Sequence, residues 1–276
     1  MSVAEKVRQL KPKVASAVPA EIITVTPQMA EEMLAKNVKN RSVSYGLVDA
    51  YARDMRNGDW QFTGEALKFS VDGHLIDGQH RLLACVKADV PFKTLVIYDL
   101  ESRAQEVIDT GRGRTVADAL HLAGYANASR TAGACRFMMN IKNGYNKCKI
   151  SASEMLHVFE RHPGINDSAN MVGGTYGMSQ ALLTAIHYIG KGILDMEALA
   201  NEFVTIFQTG NSYDGCAAQV WRERLMKMKA AHTPITHTYM FHGSIHAWNL
   251  FAKSQDIKIF RAPESAKIDG LDLDLI

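Results

Sequence analysis

The stretch that decides the fold spans residues 64–114 and reads GEALKFSVDGHLIDGQHRLLACVKADVPFKTLVIYDLESRAQEVIDTGRGR. Ala66 to Ser70 and His74 to Ile76 have the composition of two short strands, and Asp72-Gly73 between them is typical of a tight turn. The pattern therefore predicts a β-hairpin. Asp77-Gly78-Gln79-His80-Arg81 follows directly and opens a short helix, so a glycine stands where a strand ends and a helix begins.

The chain on either side of this hairpin completes the pattern of an α+β protein. Ile22 to Val25 predicts a short strand, Thr26-Pro27 the start of a helix, and Phe92 to Tyr98 another strand. After residue 126 the strand patterns largely disappear and helical ones follow. The sequence thus predicts a flexible N-terminal arm, a small mixed-sheet domain, an all-helical domain and an acidic tail, which span 1–20, 21–125, 126–263 and 264–276.

Composition excludes several classes of protein. The 276 residues are 47% hydrophobic and 22% charged, which excludes global disorder and coiled coil. The chain has 31 Lys+Arg and 29 Asp+Glu, a formal charge of +2. This excludes a protein that binds nucleic acid through a large overall positive charge, but it allows a local basic patch. We expect a cytoplasmic protein without a membrane segment, because no apolar run approaches about 18 residues and the four cysteines are scattered without metal-ligand spacing.

The Asp77–Arg81 turn has the composition of a phosphate-binding loop. Gly78 lets the backbone approach a ligand closely, and the helix behind it presents N–H groups and a partial positive charge. Arg81 adds a planar fork that matches phosphate oxygens, His80 is a further donor, and Asp77 can orient Arg81 or help to hold a metal ion. The alternative is structural: Gly78 only starts the helix, and Arg81 pairs with a surface carboxylate.

A second loop of the same kind follows at Asp109-Thr110-Gly111-Arg112-Gly113-Arg114, before a helix capped by Thr115 and Asp118. Two arginines alternate with two glycines there, and Asp109 can accept a magnesium ion or orient a nucleophile. We expect the two loops to converge on one anionic group. The alternative is a solvated turn.

The helical part offers weaker candidates. Arg136, Lys142, Lys147 and Lys149 cluster around a loop and form a candidate nucleic-acid contact. His242 and His246 have a spacing that can bind zinc, although solvated or core histidines fit the same pattern. The segment from Ser265 to Ile276 alternates aspartate with leucine, which is typical of a tail that stays unfolded until it meets a partner.

The 64–114 run, including the literal DGQHR string and the Asp-Thr-Gly-Arg segment, resembles the N-terminal domain of ParB-like proteins in the ParB/sulfiredoxin superfamily. It is also similar to DGQHR proteins linked to DNA phosphorothioate modification. Together with Ala247-Trp248-Asn249, it looks like ParB-like proteins of phages and mobile elements. The resemblance covers about residues 21–125 and implies a ParB/sulfiredoxin-like mixed sheet.

The resemblance also implies a nucleoside triphosphate and magnesium as ligands. Gly78-Gln79-His80-Arg81 falls on the family's Gly-x-x-Arg loop, which contacts nucleotide phosphates. Asp109-Thr110 falls near the second-loop Glu-Asn that is associated with magnesium and the triphosphate, and Arg112 or Arg114 stands for that loop's basic residue. In this scheme His80 donates to a phosphate oxygen, and Asp109 or Glu65, at the start of the strand that leads to the site, handles the metal or the nucleophile.

The sequence departs from the family at two informative positions. Asp109 replaces a glutamate, and no ParB-type helix-turn-helix follows, so centromere binding is not implied. The reactive cysteine of sulfiredoxin would stand at Gln79, and Cys85 lies in the following helix as a small core residue. We therefore do not expect sulfinic-acid reduction.

Three functions remain open in a bacterial or phage-infected cell. The first is a nucleotide-driven switch that acts on DNA or a DNA-associated protein, with slow hydrolysis of the triphosphate. The second is an enzyme, either a nuclease or a small-molecule kinase. The third is a non-catalytic protein that binds a host factor through its helical domain or acidic tail, and a homodimer is compatible with any of the three.

Overall fold

The computed structural model describes residues 18–38, 40, 42–101, 104, 115–145, 149–175 and 177–276. The chain divides into two units, Met1–Arg112 and Gly113–Ile276. The first combines a sheet with helices, and the second is helical in its described residues. The α+β class expected from the sequence is therefore observed. No helix in the described ranges is both long and apolar enough to cross a membrane.

A four-stranded mixed sheet forms one layer of the first unit. Its strands run in the spatial order β1-β4-β2-β3. β1 pairs antiparallel with β4, β4 parallel with β2, and β2 antiparallel with β3. The strands are β1 Ala20–Val25, β2 Ala66–Ser70, β3 Leu75–Asp77 and β4 Phe92–Leu100.

The described part of the first unit also contains three helices: α1 Pro27–Leu34, α2 Tyr45–Asn57 and α3 Gln79–Ala88. The predicted cap of α1 is present, since the Thr26 side chain accepts a hydrogen bond from the Met29 N–H over 3.2 Å. Helix α3 packs against both α1 and α2. Apolar side chains of the sheet and the helices form one core, which includes Val25, Val48, Leu67, Phe69, Leu75, Leu82, Cys85, Phe92 and Val96.

The hairpin between β2 and β3 contains an irregularity that the sequence pattern does not reveal. Lys68 pairs with Asp77, but the next residue on β2, Phe69, pairs with Leu75. Ile76 is therefore an extra residue on β3, which is the arrangement of a β-bulge. This register sets Asp77 directly across from Lys68, at the end of β3 and immediately before α3.

Helices build the described part of the second unit. They are α4 Val116–Leu122, α5 Ala128–Lys142, α6 Ala152–Arg161, α7 Ile165–Met171, α8 Gln180–Tyr188 with a π-helical turn at Ile189–Ile193, α9 Glu197–Thr209, α10 Ala217–Ala230, α11 His237–Ala252 and a 3₁₀ turn at Leu273–Leu275. The predicted cap of Thr115 and Asp118 is present as a capping box, and Ser151 and Glu154 form a second one. Trp248 is 1% exposed within the core of this unit, as expected of a packing anchor.

The boundary between the units differs from the predicted one at residue 125. Helix α4 packs against α5 and α6, and Val116 and Leu120 belong to the core of the second unit. A helix needs a partner for its apolar face, and α4 finds that partner among the later helices. Capping signals located α4 in the sequence but carried no information about which core it joins.

The acidic tail also differs from its prediction, because it is folded against the second unit. Ile268 and Ile276 are 5% and 2% exposed. The Lys142 ammonium and the Arg161 guanidinium donate to the carbonyl oxygen of Ile276 over 2.7 and 3.0 Å. Lys253 also pairs with Asp269 over 2.6 Å. Ile268 and Ile276 are thus buried and Asp269 is paired, whereas Leu275 is 51% exposed, so the tail packs against the second unit through its two isoleucines.

Candidate functional site

The turn between β3 and α3 requires glycine. Gly78 has φ +107°, a conformation that other residues rarely adopt. A Cβ atom at this position would lie 2.3 Å from Leu67 Cδ2, in the core of the first unit. The first turn of the ten-residue helix α3 is thereby held close against β2. The sequence predicted that Gly78 lets the backbone approach a ligand; the close neighbour observed is the protein's own strand, and approach of a ligand stays a prediction.

Arg81 extends from the first turn of α3 to the start of β2. Its Nη2 donates to the Ala66 carbonyl oxygen over 2.8 Å and lies 3.4 Å from Asp77 Oδ2. Its other terminal nitrogen, Nη1, is buried and has no hydrogen-bond acceptor within the described residues. The guanidinium is therefore fixed on one side and lacks a partner on the other, while 14% of the side chain is exposed.

Lys68 also lies beside Asp77, although the sequence motif does not include it. Its ammonium lies 2.9 Å from Asp77 Oδ2, the same oxygen that Arg81 approaches. The side chains of Lys68 and Asp77 are 21% and 14% exposed. Alternation along β2 places Lys68 on the other face of the sheet from Leu67 and Phe69. The ion pair of Lys68 with Asp77, however, depends on the bulge at Ile76. We call Lys68, Asp77 and Arg81 the Asp77 cluster.

Gln79 and His80 contact a different part of the unit from the one predicted. The Ser44 N–H donates to His80 Nε2 over 3.0 Å, and the Asn37 side-chain amide donates to Gln79 Oε1 over 3.2 Å. Both residues are buried: His80 is 7% exposed and Gln79 is 4% exposed. Successive residues of a helix point about 100° apart, so neighbours of Arg81 face other elements. His80 accepts a hydrogen bond at Nε2 and so joins α3 to the segment between α1 and α2, and its donation to a phosphate oxygen stays a prediction.

Glu65 lies exposed immediately before β2. Its backbone carbonyl accepts a hydrogen bond from the Thr94 hydroxyl over 3.2 Å. The next residue along the chain, Ala66, supplies the carbonyl to which Arg81 donates. Glu65 is thus adjacent in sequence to the cluster, and its proposed part in catalysis stays a prediction.

The second predicted loop lies outside the described residues, so its convergence with the first stays a prediction. Its members are Asp109, Thr110, Gly111, Arg112 and Arg114. Among the carboxylates, cysteines and histidines that the structure describes, no group of three could hold a metal ion. Asp77 Oδ2 is shared by Lys68 and Arg81, and a part for Asp77 in holding a metal ion stays a prediction.

Only part of the predicted nucleic-acid contact is available to solvent. Arg136 and Lys149 are exposed, whereas Lys142 donates to the carbonyl of Ile276. Lys147 lies outside the described residues. The folded tail thus contacts one of the four predicted cations, and the nucleic-acid contact itself stays a prediction.

The histidine pair on α11 does not form a metal site. The Ala266 N–H donates to His242 Nδ1 over 3.0 Å, which occupies that ring nitrogen. Burial lowers the pKa of His242 and so favours the neutral ring. His246 instead packs its ring edge-to-face with Phe260. The alternative interpretation as core histidines is the one that the contacts support.

A buried polar network in the second unit was not predicted. His187 Nδ1 lies 2.9 Å from the Ser168 hydroxyl, and its Nε2 lies 2.9 Å from Asn201 Oδ1. Ser168 and His187 are each 2% exposed. The pKa of His187 is lowered, mainly because burial disfavours the charged ring. The hydroxyl is enclosed in the core, so the arrangement stabilises α7, α8 and α9 against one another and gives no route for a substrate.

Cys85 is a core residue, as predicted. It is fully buried, and its Sγ lies 3.2 Å from the carbonyl oxygen of Val90. Burial raises the pKa of the thiol to about 11. Because the thiolate is the nucleophilic form, this cysteine is unsuited to sulfur chemistry at neutral pH.

Two open cavities lie along α11 and its C-terminal continuation, with volumes of about 360 and 370 Å³. His246 and Leu250 line both. Their cationic lining residues are Lys253, Lys258, Arg261 and Lys267. The pairing of Lys253 with Asp269 reduces the charge of the first cavity.

Of the residues predicted for the first loop, Asp77 and Arg81 lie together in the Asp77 cluster, and anion binding there stays a prediction. No protein-family model, curated protein or solved structure matches this chain.

Proposed function

We propose that the first unit is a ParB-like domain that binds the phosphate groups of a nucleoside triphosphate at the Asp77–Arg81 turn. In this proposal Arg81 is the main phosphate ligand. The second loop would contact the same triphosphate through Asp109, Thr110 and either Arg112 or Arg114, as the resemblance implies. The bound nucleotide then switches the protein between two states that differ in affinity for DNA or for a DNA-associated protein.

The observation that carries the proposal is the unpaired Nη1 of Arg81. A buried donor that lacks an acceptor costs about 1–3 kcal/mol, and more when the group is charged. Arg81 Nη1 has no acceptor within the described residues, although Nη2 of the same guanidinium is bonded to Ala66. A phosphate oxygen at Nη1 would satisfy this donor through a charge-assisted hydrogen bond, the strong type that arginine makes with phosphate.

The position of Arg81 at the start of α3 supports an anionic ligand further. A helix N-terminus carries the equivalent of about half a positive charge, which adds to the charge of the guanidinium. Helix α3 has no acidic residue in its first turn to neutralise that charge. Gly78 keeps this end of the helix free of a side chain at the turn itself.

The residues of this chain would act by binding and orientation. Arg81 would hold a phosphate oxygen and neutralise its charge, which is the main requirement of phosphoryl transfer. Slow hydrolysis needs little more, and we rank a switch above a nuclease because the described carboxylates form no metal-binding cluster. Magnesium enters the proposal only together with the triphosphate.

A thermal-shift panel of nucleoside triphosphates, each with and without magnesium, tests the proposal. A ligand present at a hundredfold excess over its Kd stabilises the native state by about 2.7 kcal/mol, which raises Tm. We expect Arg81→Ala to abolish the shift. The matched control is Arg56→Ala, which removes an exposed arginine from α2 of the same unit.

The outcomes are separable. Stabilisation of the wild type and of R56A, but not of R81A, supports the proposal. A shift that survives in R81A removes Arg81 from the site. A flat panel for the wild type favours the non-catalytic interaction protein, for which the cationic cavities along α11 are the surface to test next.

A further inference from the structure

We infer that Lys68 is a second phosphate ligand of this site, and that the Asp77 cluster binds a diphosphate group in preference to a single phosphate. The inference rests on the proposed function and adds a ligand class and a residue to it. Lys68 was absent from the sequence motif, and it joins the cluster through the sheet register alone.

The geometry brings two cations to one oxygen atom. Lys68 Nζ lies 2.9 Å and Arg81 Nη2 lies 3.4 Å from Asp77 Oδ2. Lys68 projects from the middle of β2, whereas Arg81 projects from α3, so the two cations approach Asp77 from different elements. A ligand that reaches this point meets both.

Charge balance distinguishes a ligand site from a structural ion pair. A structural pair needs one cation for one carboxylate, but here two cations share Asp77, and the cluster keeps one net positive charge. Within the described residues, Lys68 and Arg81 have ion pairs with no other carboxylate. The three side chains are mostly buried, so the surplus charge is only weakly screened by solvent. A polyanion would compensate it.

Two cations on different elements favour a ligand with two adjacent anionic groups. One phosphoryl group would accept from Arg81 Nη1, which has no acceptor among described residues, and the neighbouring group would pair with Lys68. A single phosphate can contact only part of this arrangement. The α- and β- or β- and γ-phosphates of a nucleotide, and inorganic pyrophosphate, share this chemistry.

Calorimetric titration of the full chain with sodium phosphate and with sodium pyrophosphate tests the inference, because neither probe carries a base. We expect the wild type to bind pyrophosphate at least about tenfold more tightly than phosphate. Lys68→Met should weaken pyrophosphate binding about tenfold, the loss of one charge-assisted hydrogen bond, and change phosphate binding less. Lys68→Arg keeps the charge and should recover most of the affinity.

The control is Lys93→Met, which removes an exposed lysine from β4 of the same sheet. Thermal melting without ligand establishes that each variant is folded. If K68M and K93M bind pyrophosphate equally well, the inference is wrong, whereas nucleotide binding by the wild type would still support the proposed function. If the wild type binds neither nucleotide nor pyrophosphate, both proposals fail.

Discussion

The Arg81 guanidinium donates to the Ala66 carbonyl oxygen over 2.8 Å, and this bond connects the first turn of α3 to the first residue of β2. The same Nη2 also lies 3.4 Å from Asp77 Oδ2. Because one nitrogen is fixed in this way, the orientation of the other is set by the fold before any ligand arrives. Such preorganisation lowers the entropic cost of binding.

Gly78→Ala should destabilise the first unit. The added methyl group would meet Leu67 Cδ2 at 2.3 Å, and alanine is strained at φ +107°. We expect a loss of about 2–3 kcal/mol in the free energy of unfolding, measured by urea denaturation. Gly73→Ala is the control, since φ there is +75° but no atom lies within 4 Å of the added carbon. It should cost only about 1 kcal/mol. Equal losses in both variants would mean that the contact with Leu67 is unimportant.

Lys142→Met should loosen the tail. The ammonium donates to the carbonyl oxygen of Ile276 over 2.7 Å, and among the described donors its loss leaves the Arg161 bond at that atom. We expect faster hydrogen exchange across residues 268–276, equivalent to about 1 kcal/mol of local stability. Lys149→Met is the comparison, because Lys149 is exposed. Unchanged exchange in K142M would show that burial of Ile276 alone retains the tail.

Acid should destabilise the second unit through His187. Burial holds the pKa of this histidine below its ordinary value of 6.5, so near pH 6 the unfolded chain binds more protons than the folded one. Stability is therefore fully present above about pH 6.5 and is lost as the pH falls towards the lowered pKa. Urea denaturation between pH 8 and pH 5 measures the slope. His187→Gln should flatten it, because the amide can still reach Ser168 or Asn201 but does not titrate in this range. A slope equal to that of the wild type would assign the effect to other groups.

Cys85 should resist alkylation in the native protein. Its thiol is buried, with a pKa raised to about 11, so the reactive thiolate is scarce. Iodoacetamide followed by peptide mass spectrometry should label Cys85 only after urea is added. Rapid labelling without urea would contradict the assignment of this residue to the core and reopen a sulfiredoxin-like chemistry.

Much of the fold follows from local sequence signals. Thr26-Pro27, the Thr115/Asp118 pair and the Ser151/Glu154 pair locate helix starts because a cap requires only neighbours in the chain. The hairpin at Asp72-Gly73 is predictable for the same reason. The membership of α4 in the second unit is not, since it depends on contacts with helices that lie later in the chain.

The candidate site was predictable in its motif but not in its membership. Gly78 and Arg81 stand out because glycine before a helix and arginine in its first turn are local features. Lys68 joins them through the bulge at Ile76, and the ring of His80 makes a contact with Ser44 that the motif does not reveal. Both facts depend on packing between distant segments. The folding of the acidic tail could not be predicted for a similar reason, because composition does not reveal that Lys142 and Arg161 bond to Ile276.

The most direct test of the central claim is nitrogen-15 NMR of the arginine side chains during titration with the nucleoside triphosphate that stabilises the protein most. We predict that the Arg81 guanidinium resonance shifts and that its hydrogen exchange slows on saturation, while those of Arg56 do not change. A nucleotide that binds without any change at Arg81 would contradict the account.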